Sequence, residues 1–252
     1  MISFVNSTAS LFLDSVLAIV YPQACHVCNQ SVENRHDGVA CAACWAAAAL
    51  FAEDETLCGK CGAPSVTHLK SAAPQAIRCG RCDDDSFTVA RACGAYTGAL
   101  RATILELKRR PALAPRVGAL LRQLQLSAPL RAADIIIAVP LHESRERERG
   151  FNQAHLLARE LAKLSGLPLA EHAIYRRLHT ERHRGGMDAK ARRESVADAF
   201  VVRHQHSVAG KRVLLLDDVL TTGATVSACA RVLKDAGAGD IYVLTLARAV
   251  FL

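Results

Sequence analysis

The sequence predicts an α/β fold in which a parallel sheet carries helices on both faces, preceded by a small cysteine-rich module. Short apolar runs alternate with helical periods over the last two thirds of the chain, as in strand–helix–strand units. One run, at residues 213–216, is followed at once by two acids and a turn of small residues. Ligand loops of open α/β sheets occupy this place after a strand. The cysteine-rich module is indicated by four CxxC pairs within residues 25–82.

The N-terminal 24 residues contain an apolar run at residues 11–20. Asp14 interrupts the run and no lysine or arginine precedes it, so it lacks the basic start of a secretory signal. The run is also too short to span a bilayer. We interpret it as a packed helix and expect a cytoplasmic protein without membrane insertion.

The cysteine pairs have the spacing of metal-binding knuckles. A CxxC hairpin directs two thiolates at one point, and two hairpins complete a tetrahedral four-sulfur shell for zinc. Four hairpins therefore predict two structural Zn²⁺ sites in a double zinc ribbon at residues 1–86, with the α/β body at residues 87–252. Sequential pairing of the hairpins is the simplest arrangement, interleaved pairing stays open, and disulfides are the alternative that a cytosolic setting disfavours. The eight predicted ligands are Cys25, Cys28, Cys41, Cys44, Cys58, Cys61, Cys79 and Cys82.

The body begins with a loosely alternating strand at residues 87–96. Helices are predicted at residues 98–110, where Pro111 stops a basic end, and at residues 113–126. Residues 133–139 read ADIIIAV and predict a buried strand that Pro140 ends. The last strand is predicted at residues 240–246.

A second stretch with the character of a site follows the strand that ends at Pro140. Three arginines alternate there with three acids up to Arg149, and a helix opens at about Asn152 and ends at Gly166. The bland alternative is a solvated charged loop. Its place at the carboxyl end of a strand favours a ligand-binding role.

Residues 213–225, VLLLDDVLTTGAT, predict a strand, a loop and a helix whose apolar face continues to Ala236. A glycine- and hydroxyl-rich turn at a helix N-terminus presents backbone N–H groups and the positive end of the helix dipole, which suits a phosphate. Asp217 and Asp218 would repel a phosphate, but they can accept hydrogen bonds from vicinal hydroxyls or help to hold a divalent cation. A phosphate site beside a diol site describes a ribose 5-phosphate.

This stretch resembles the phosphoribosyl-pyrophosphate (PRPP) motif of type I phosphoribosyltransferases. The resemblance implies that Asp217 and Asp218 hold the ribose hydroxyls as the catalytic acids. It also implies that a loop wraps the 5-phosphate, formed by Thr221, Thr222, Gly223, Ala224 and Thr225. The fold class is then a type I phosphoribosyltransferase-like parallel sheet, and Mg²⁺ would bridge the pyrophosphate and the ribose hydroxyls. Lys108, Arg145 and Arg149 are our candidates for binding the pyrophosphate.

The order of motifs along the chain is similar to that of the ComF/GntX family of competence proteins. It comprises the cysteine pairs, Tyr96 with Gly98, Leu107 with Lys108, VPL at residues 139–141, RGFNQ at residues 149–153 and DDVLTTGAT. Between residues 178 and 199 the family commonly has a glutamine and an asparagine that this chain lacks. A basic, glycine-containing loop is predicted there, at residues 178–193.

The net charge is +7, and it is divided unevenly between the two parts. Residues 1–95 carry 6 basic and 9 acidic residues, whereas residues 96–252 carry 25 and 15. A basic body attracts polyphosphates such as PRPP and can attract nucleic acid. The resemblance implies a role in natural competence and DNA uptake, either as a pentosyltransferase or as a non-enzymatic protein that binds single-stranded DNA. A third alternative is an adaptor that contacts other proteins of the competence machinery.

Overall fold

The computed structural model describes residues 23–52, 56–64, 78–177 and 199–250. Within these residues the helices are α1 (Ala42–Ala46), α2 (Gly98–Leu107), α3 (Pro115–Leu126), α4 (Glu143–Arg149), α5 (Gln153–Ser165) and α6 (Ala224–Asp235). The strands are β1 (Val89–Ala92), β2 (Ile135–Ala138), β3 (Ile174–Arg176), β4 (Phe200–Val202), β5 (Val213–Leu220) and β6 (Ile241–Arg248).

Four strands form the parallel sheet that the sequence predicts, in the order β1-β6-β5-β2. The register places Ala90 beside Val243, Val243 beside Leu215, and Leu215 beside Ile137. The two central strands are buried along their apolar runs, as expected for parallel strands covered on both faces.

Helices cover both faces of this sheet because successive side chains of each strand alternate in direction. The row that contains Leu215 and Val243 packs with Val226 and Leu233 of α6. The next row, which contains Leu214, packs on the opposite face with α2, α3 and α5. The predicted α/β architecture is confirmed.

The two cysteine modules lie on opposite faces of the sheet. We call residues 23–52 the first ribbon, and residues 56–64 with 78–86 the second ribbon. Cys25 and Trp45 of the first ribbon belong to the core on the side of α2, α3 and α5. Cys58 and Cys82 of the second ribbon belong to the core on the side of α6.

The first ribbon is attached to α3 through the buried Asp37. The Arg116 Nε of α3 donates to Asp37 Oδ1 at 2.6 Å, and the Trp45 Nε1 donates to the Asp37 carbonyl oxygen at 2.8 Å. The Arg116 guanidinium also stands 5.3 Å from the centre of the Trp45 ring. A buried carboxylate that is paired in this way holds the module in one orientation.

The C-terminal end of the first ribbon crosses the end of β1. The Phe51 N–H donates to the Cys93 carbonyl oxygen at 3.0 Å, and the Ala95 N–H donates to the Ala49 carbonyl oxygen at 2.8 Å. Since β1 is an edge strand of the four-stranded sheet, the crossing segment covers part of that edge.

Strands β3 and β4 form a separate antiparallel pair on either side of residues 178–198. The predicted basic loop at residues 178–193 lies outside the described residues, as does the predicted helix at residues 11–20. Among the described residues, no helix is long and apolar enough to cross a membrane.

Two local features differ from the sequence prediction. Strand β5 does not stop at Leu216 but continues to Leu220, because β6 runs beside it and pairs Asp217 with Thr245 and Leu220 with Arg248. No helix was predicted between β2 and about Asn152, but the charged stretch there forms the short helix α4, which has no buried residue.

Candidate functional site

The eight predicted metal ligands form two clusters. Cys25, Cys28, Cys41 and Cys44 make one, and Cys58, Cys61, Cys79 and Cys82 make the other, with all sulfur atoms of a cluster within 4.8 Å of one another. Sequential pairing is therefore the correct arrangement. All these cysteines are free thiols, so the disulfide alternative is not observed.

The spacing of the sulfur atoms fits zinc. The Sγ atoms of Cys61 and Cys79 are 3.6 Å apart, and those of Cys58 and Cys82 are 3.7 Å apart. Four sulfurs around one Zn²⁺ at ~2.3 Å should be separated by about 3.8 Å in a tetrahedron. Two structural zinc centres therefore fit the residues present.

Backbone N–H groups lower the pKa of one cysteine thiol in each cluster. Burial acts to raise the pKa of Cys25, but N–H groups that include those of Cys28 and Cys41 outweigh it and lower this pKa to about 6. The Cys41 N–H lies 3.3 Å from the Cys25 Sγ. The same opposition lowers the pKa of Cys58 to about 6. A thiol that ionises readily is the form that binds zinc.

The acidic pair lies in the second half of β5, beyond the point where β2 ends. Asp218 Oδ2 accepts from the Lys108 Nζ at 2.9 Å, so the end of α2 brings a cation to the pair. The Asp218 N–H donates to Asp217 Oδ1 at 2.9 Å. Burial, and then the charge of Asp218, raise the pKa of Asp217 to about 8. The structure thus places Lys108 at the acids, as an ion-pair partner.

Residues 221–225, which we call the TTGAT loop, follow the pair and lead into α6. Gly223 caps the helix with a φ of +82°, a left-handed conformation that glycine adopts without strain. The Ala224 N–H points at Thr222 Oγ1 at 3.4 Å, and Thr221 is exposed. The loop therefore presents hydroxyls and the N-terminus of a 12-residue helix at one edge of the sheet.

Helix α4 presents its arginines beside β2. The Asn152 Nδ2 donates to the Val139 carbonyl oxygen at 3.0 Å, which holds the RGFNQ segment to the end of the strand. Arg149 Nη1 donates to the Oε1 of the buried Gln153, so α5 orients this guanidinium. Arg145 is half-buried on the same helix.

Arg176 on β3 is a site residue that our pyrophosphate candidates missed. Burial, and then the charge of Arg145, lower the pKa of Arg176. Both Arg176 and Asp217 also act on the pKa of the buried Cys229 thiol, which burial raises first of all. Arg176 therefore lies within electrostatic range of Arg145, and both Arg176 and Asp217 lie within range of Cys229. The position of Arg176 at the end of a three-residue strand, far from both motifs in sequence, gave no signal of this.

The second ribbon reaches the TTGAT loop. A cavity of about 700 Å³ lies between them, lined by Cys61 and Cys82 on one side and Thr221 and Thr222 on the other. The buried Asp85 of the ribbon stands beside Gly223. The zinc module and the predicted phosphate site are therefore adjacent, which the sequence does not reveal.

Two family profiles match the chain, Double zinc ribbon domain over residues 16–83 and Phosphoribosyl transferase domain over residues 106–249. DNA utilization protein YhgH of Salmonella typhimurium is 32% identical over 240 residues, which cover 91% of this chain and 99% of that protein. Competence protein F of Haemophilus influenzae is 37% identical over 48% of this chain and 52% of that protein. Competence protein ComFC of Bacillus subtilis is 36% identical over 45% of this chain and 44% of that protein.

Proposed function

Because the chain belongs to the ComF family, in which a double zinc ribbon accompanies a phosphoribosyltransferase domain, we propose that its body binds PRPP, or a related ribose 5-phosphate, with Mg²⁺. One observation carries the proposal. The acidic pair lies on β5, the TTGAT loop begins directly after that strand, and the loop leads into the N-terminus of α6 at one edge of the parallel sheet. The domain boundary that we assign lies between residues 86 and 87.

The roles follow from charge and position. The TTGAT loop would hold the 5-phosphate through N–H groups and hydroxyls, and Asp217 and Asp218 would accept hydrogen bonds from the ribose hydroxyls. Arg145 and Arg149 would bind the pyrophosphate with Arg176 as a third cation. Lys108 would exchange its Asp218 partner for a ligand phosphate oxygen.

The donor set at the acids fits Mg²⁺. Carboxylate oxygens are the ligands that this cation prefers, and it is usually held by one or two of them together with substrate phosphates. Burial, and then the charge of Asp218, raise the pKa of Asp217 although Lys108 acts to lower it, so a further cation at the pair would favour its ionised form. Mg²⁺ would supply this positive charge and neutralise the pyrophosphate.

Pentosyl transfer is the reaction that such a site would catalyse. The bond from C1 of the ribose to the pyrophosphate would break as an acceptor attacks C1, while positive charge grows on the ribose. The arginines would stabilise the departing pyrophosphate, so catalysis would be mainly electrostatic.

Calorimetry with PRPP and Mg²⁺ on the zinc-loaded protein tests the proposal. We expect binding that the double variant Asp217→Asn, Asp218→Asn abolishes without unfolding the chain. Asp235→Asn, which removes an exposed acid at the other end of α6, is the control and should bind normally. Equal affinity in the double variant would exclude the ribose role of the acids.

Single-stranded DNA is the second candidate ligand, on the basis of the exposed, arginine-rich helix α4. The relatives make this a competence-associated, ComF-like protein. Each DNA phosphate contact should release counterions, so log K should fall by roughly 0.7 per contact per unit of log salt. If DNA uses the α4 arginines, PRPP with Mg²⁺ should compete with it in a fluorescence-anisotropy titration. Unchanged DNA affinity at saturating PRPP would place the two ligands on separate surfaces.

A further inference from the structure

The cavity between the second ribbon and the TTGAT loop has a wall made of metal ligands. Its volume is about 700 Å³, which lies within the range of roughly 300–1,000 Å³ that is common for small-ligand pockets. Three of the four cysteines of the second ribbon line it, and the opposite wall contains Thr221, Thr222 and Gly223. A ligand that is anchored in the loop therefore borders the zinc module.

Direct contacts hold the second ribbon on this loop. Asp85 lies so close to Gly223 that a Cβ atom added to this glycine would stand 3.2 Å from Asp85 Oδ2. The Ser86 N–H donates to Ser227 Oγ, in the first turn of α6, at 2.9 Å. The end of the second ribbon thus packs on the turn of helix whose N–H groups would bind the phosphate.

Arg248 joins a metal ligand to the strand that carries the loop. It is the last residue of β6 and pairs with Leu220, the residue before the TTGAT loop. Its Nη1 donates to the Cys61 carbonyl oxygen at 2.6 Å, and its Nη2 lies 3.5 Å from the Cys61 Sγ. Hydrogen bonds to the residues that bind a metal directly orient those residues and tune the affinity for the metal.

The first ribbon has no such connection in the part of the chain that the structure describes. Arg116 attaches it to α3 on the opposite face of the sheet, and none of its residues lines the cavity. The four-cysteine cluster of the first ribbon is of the same type and therefore serves as an internal control.

The walls of the cavity suit a ring as well as a sugar phosphate. Pro64, Phe87 and Val250 supply apolar surface. Positive charge comes from Arg81 and Arg248, and negative charge comes from Asp84 and Asp85. Ligand pockets combine these two kinds of wall when they hold a flat group with polar edges. A nucleoside 5′-monophosphate would place its phosphate in the TTGAT loop and its base in the cavity.

We propose that the second ribbon is a wall of the ligand site, and that zinc at this ribbon and a nucleoside 5′-monophosphate at the TTGAT loop strengthen each other's binding. The proposal rests on the proposed function of the loop. Thermodynamic linkage requires the effect to be reciprocal, so the ligand retains the zinc as much as the zinc retains the ligand. The zinc of the first ribbon is outside this coupling.

The first test measures affinities on the zinc-loaded full chain. Calorimetry with ribose 5-phosphate, AMP and CMP should show that each nucleotide binds more tightly than ribose 5-phosphate. Arg248→Met should weaken nucleotide binding by at least about fivefold, the lower end of ordinary coupling between sites. Arg116→Met removes the corresponding arginine of the first ribbon and should leave the affinities unchanged.

The second test follows zinc. Release to a chromogenic chelator is recorded with and without saturating AMP, and AMP should slow the loss of one zinc ion per chain while the other leaves at its usual rate. The protection should disappear in Arg248→Met and persist in Arg116→Met.

The outcomes separate the two proposals. If ribose 5-phosphate binds but AMP binds no more tightly and protects neither zinc, or both equally, the inference is wrong and the proposed function stands. If neither ligand nor PRPP binds to the wild type, both are wrong.

Discussion

Asp217→Asn tests the electrostatic state of the acidic pair. Strand β5 places Asp217 next to Asp218 in a half-buried position, and burial followed by the neighbouring charge raises its pKa to about 8. An aspartate in an unfolded chain titrates near pH ~3.9. The folded protein therefore holds a proton on Asp217 over a range of pH in which the unfolded chain does not.

The sign of the effect on stability follows from this difference in proton binding. The contribution of Asp217 to the free energy of unfolding is complete below about pH 4 and is lost as the pH rises through about 8. One proton held only by the folded state lowers the free energy of unfolding by ~1.4 kcal/mol for each pH unit of increase. Between pH 6 and 8 the decrease is therefore about 2–3 kcal/mol. Because the side chain is only half-buried, we expect solvent screening to leave about 1–2 kcal/mol.

Urea unfolding of the zinc-loaded protein at pH 6, 7 and 8 measures this contribution. The free energy of unfolding of the wild type should fall with pH by about 1–2 kcal/mol more than that of Asp217→Asn, which carries no titrating group there. Asp235→Asn should follow the wild type. Parallel curves for wild type and Asp217→Asn would refute the assignment of a raised pKa.

Further predictions concern the metals, the ligand and the docking of the first ribbon. Metal analysis should give two zinc ions per chain, and Cys58→Ser should lose one of them and the order of the second ribbon; a count of zero or one in the wild type would contradict the assignment. Binding of PRPP with Mg²⁺ near pH 7 should release close to one proton, detected by calorimetry in two buffers, and Asp217→Asn should release none; equal release would exclude Asp217 as its source. Arg116→Met should lower the free energy of unfolding by roughly 1–3 kcal/mol, since it leaves the buried Asp37 without this hydrogen-bond donor while Arg116 itself is partly exposed, whereas an exposed arginine such as Arg109 should change it little.

The elements that the sequence predicted well are those with their own local signals. Helix α5 begins where Asn152 caps it and ends at Gly166, and both signals were visible in the sequence. Helix α4 has no apolar face, and no helix was predicted before about Asn152. Its helicity comes from local interactions, since His142 caps it and Gly150 ends it in the left-handed conformation.

The parts of the site that were not predicted depend on contacts between distant segments. The extension of β5 follows from pairing with β6, although two acids normally mark the end of a buried strand. The ion pair between Lys108 and Asp218 requires the end of α2 to meet β5. The contact of Asp85 with Gly223 requires the second ribbon to reach α6. No spacing within either segment carries this information.

The position of β1 has a consequence for folding during synthesis. Within the described residues its only parallel partner is β6, so Ala90 pairs with Val243. Both cysteine clusters and β1 leave the ribosome long before that partner exists, and the clusters can bind metal as soon as they emerge. The sheet closes only when β6 enters between β1 and β5, so until then the nascent chain has metal-bound ribbons in its N-terminal part and an incomplete sheet. A high separation between contacting residues slows folding and prolongs the exposure of apolar surface, which makes this chain a candidate client for chaperones in the interval before β6 emerges.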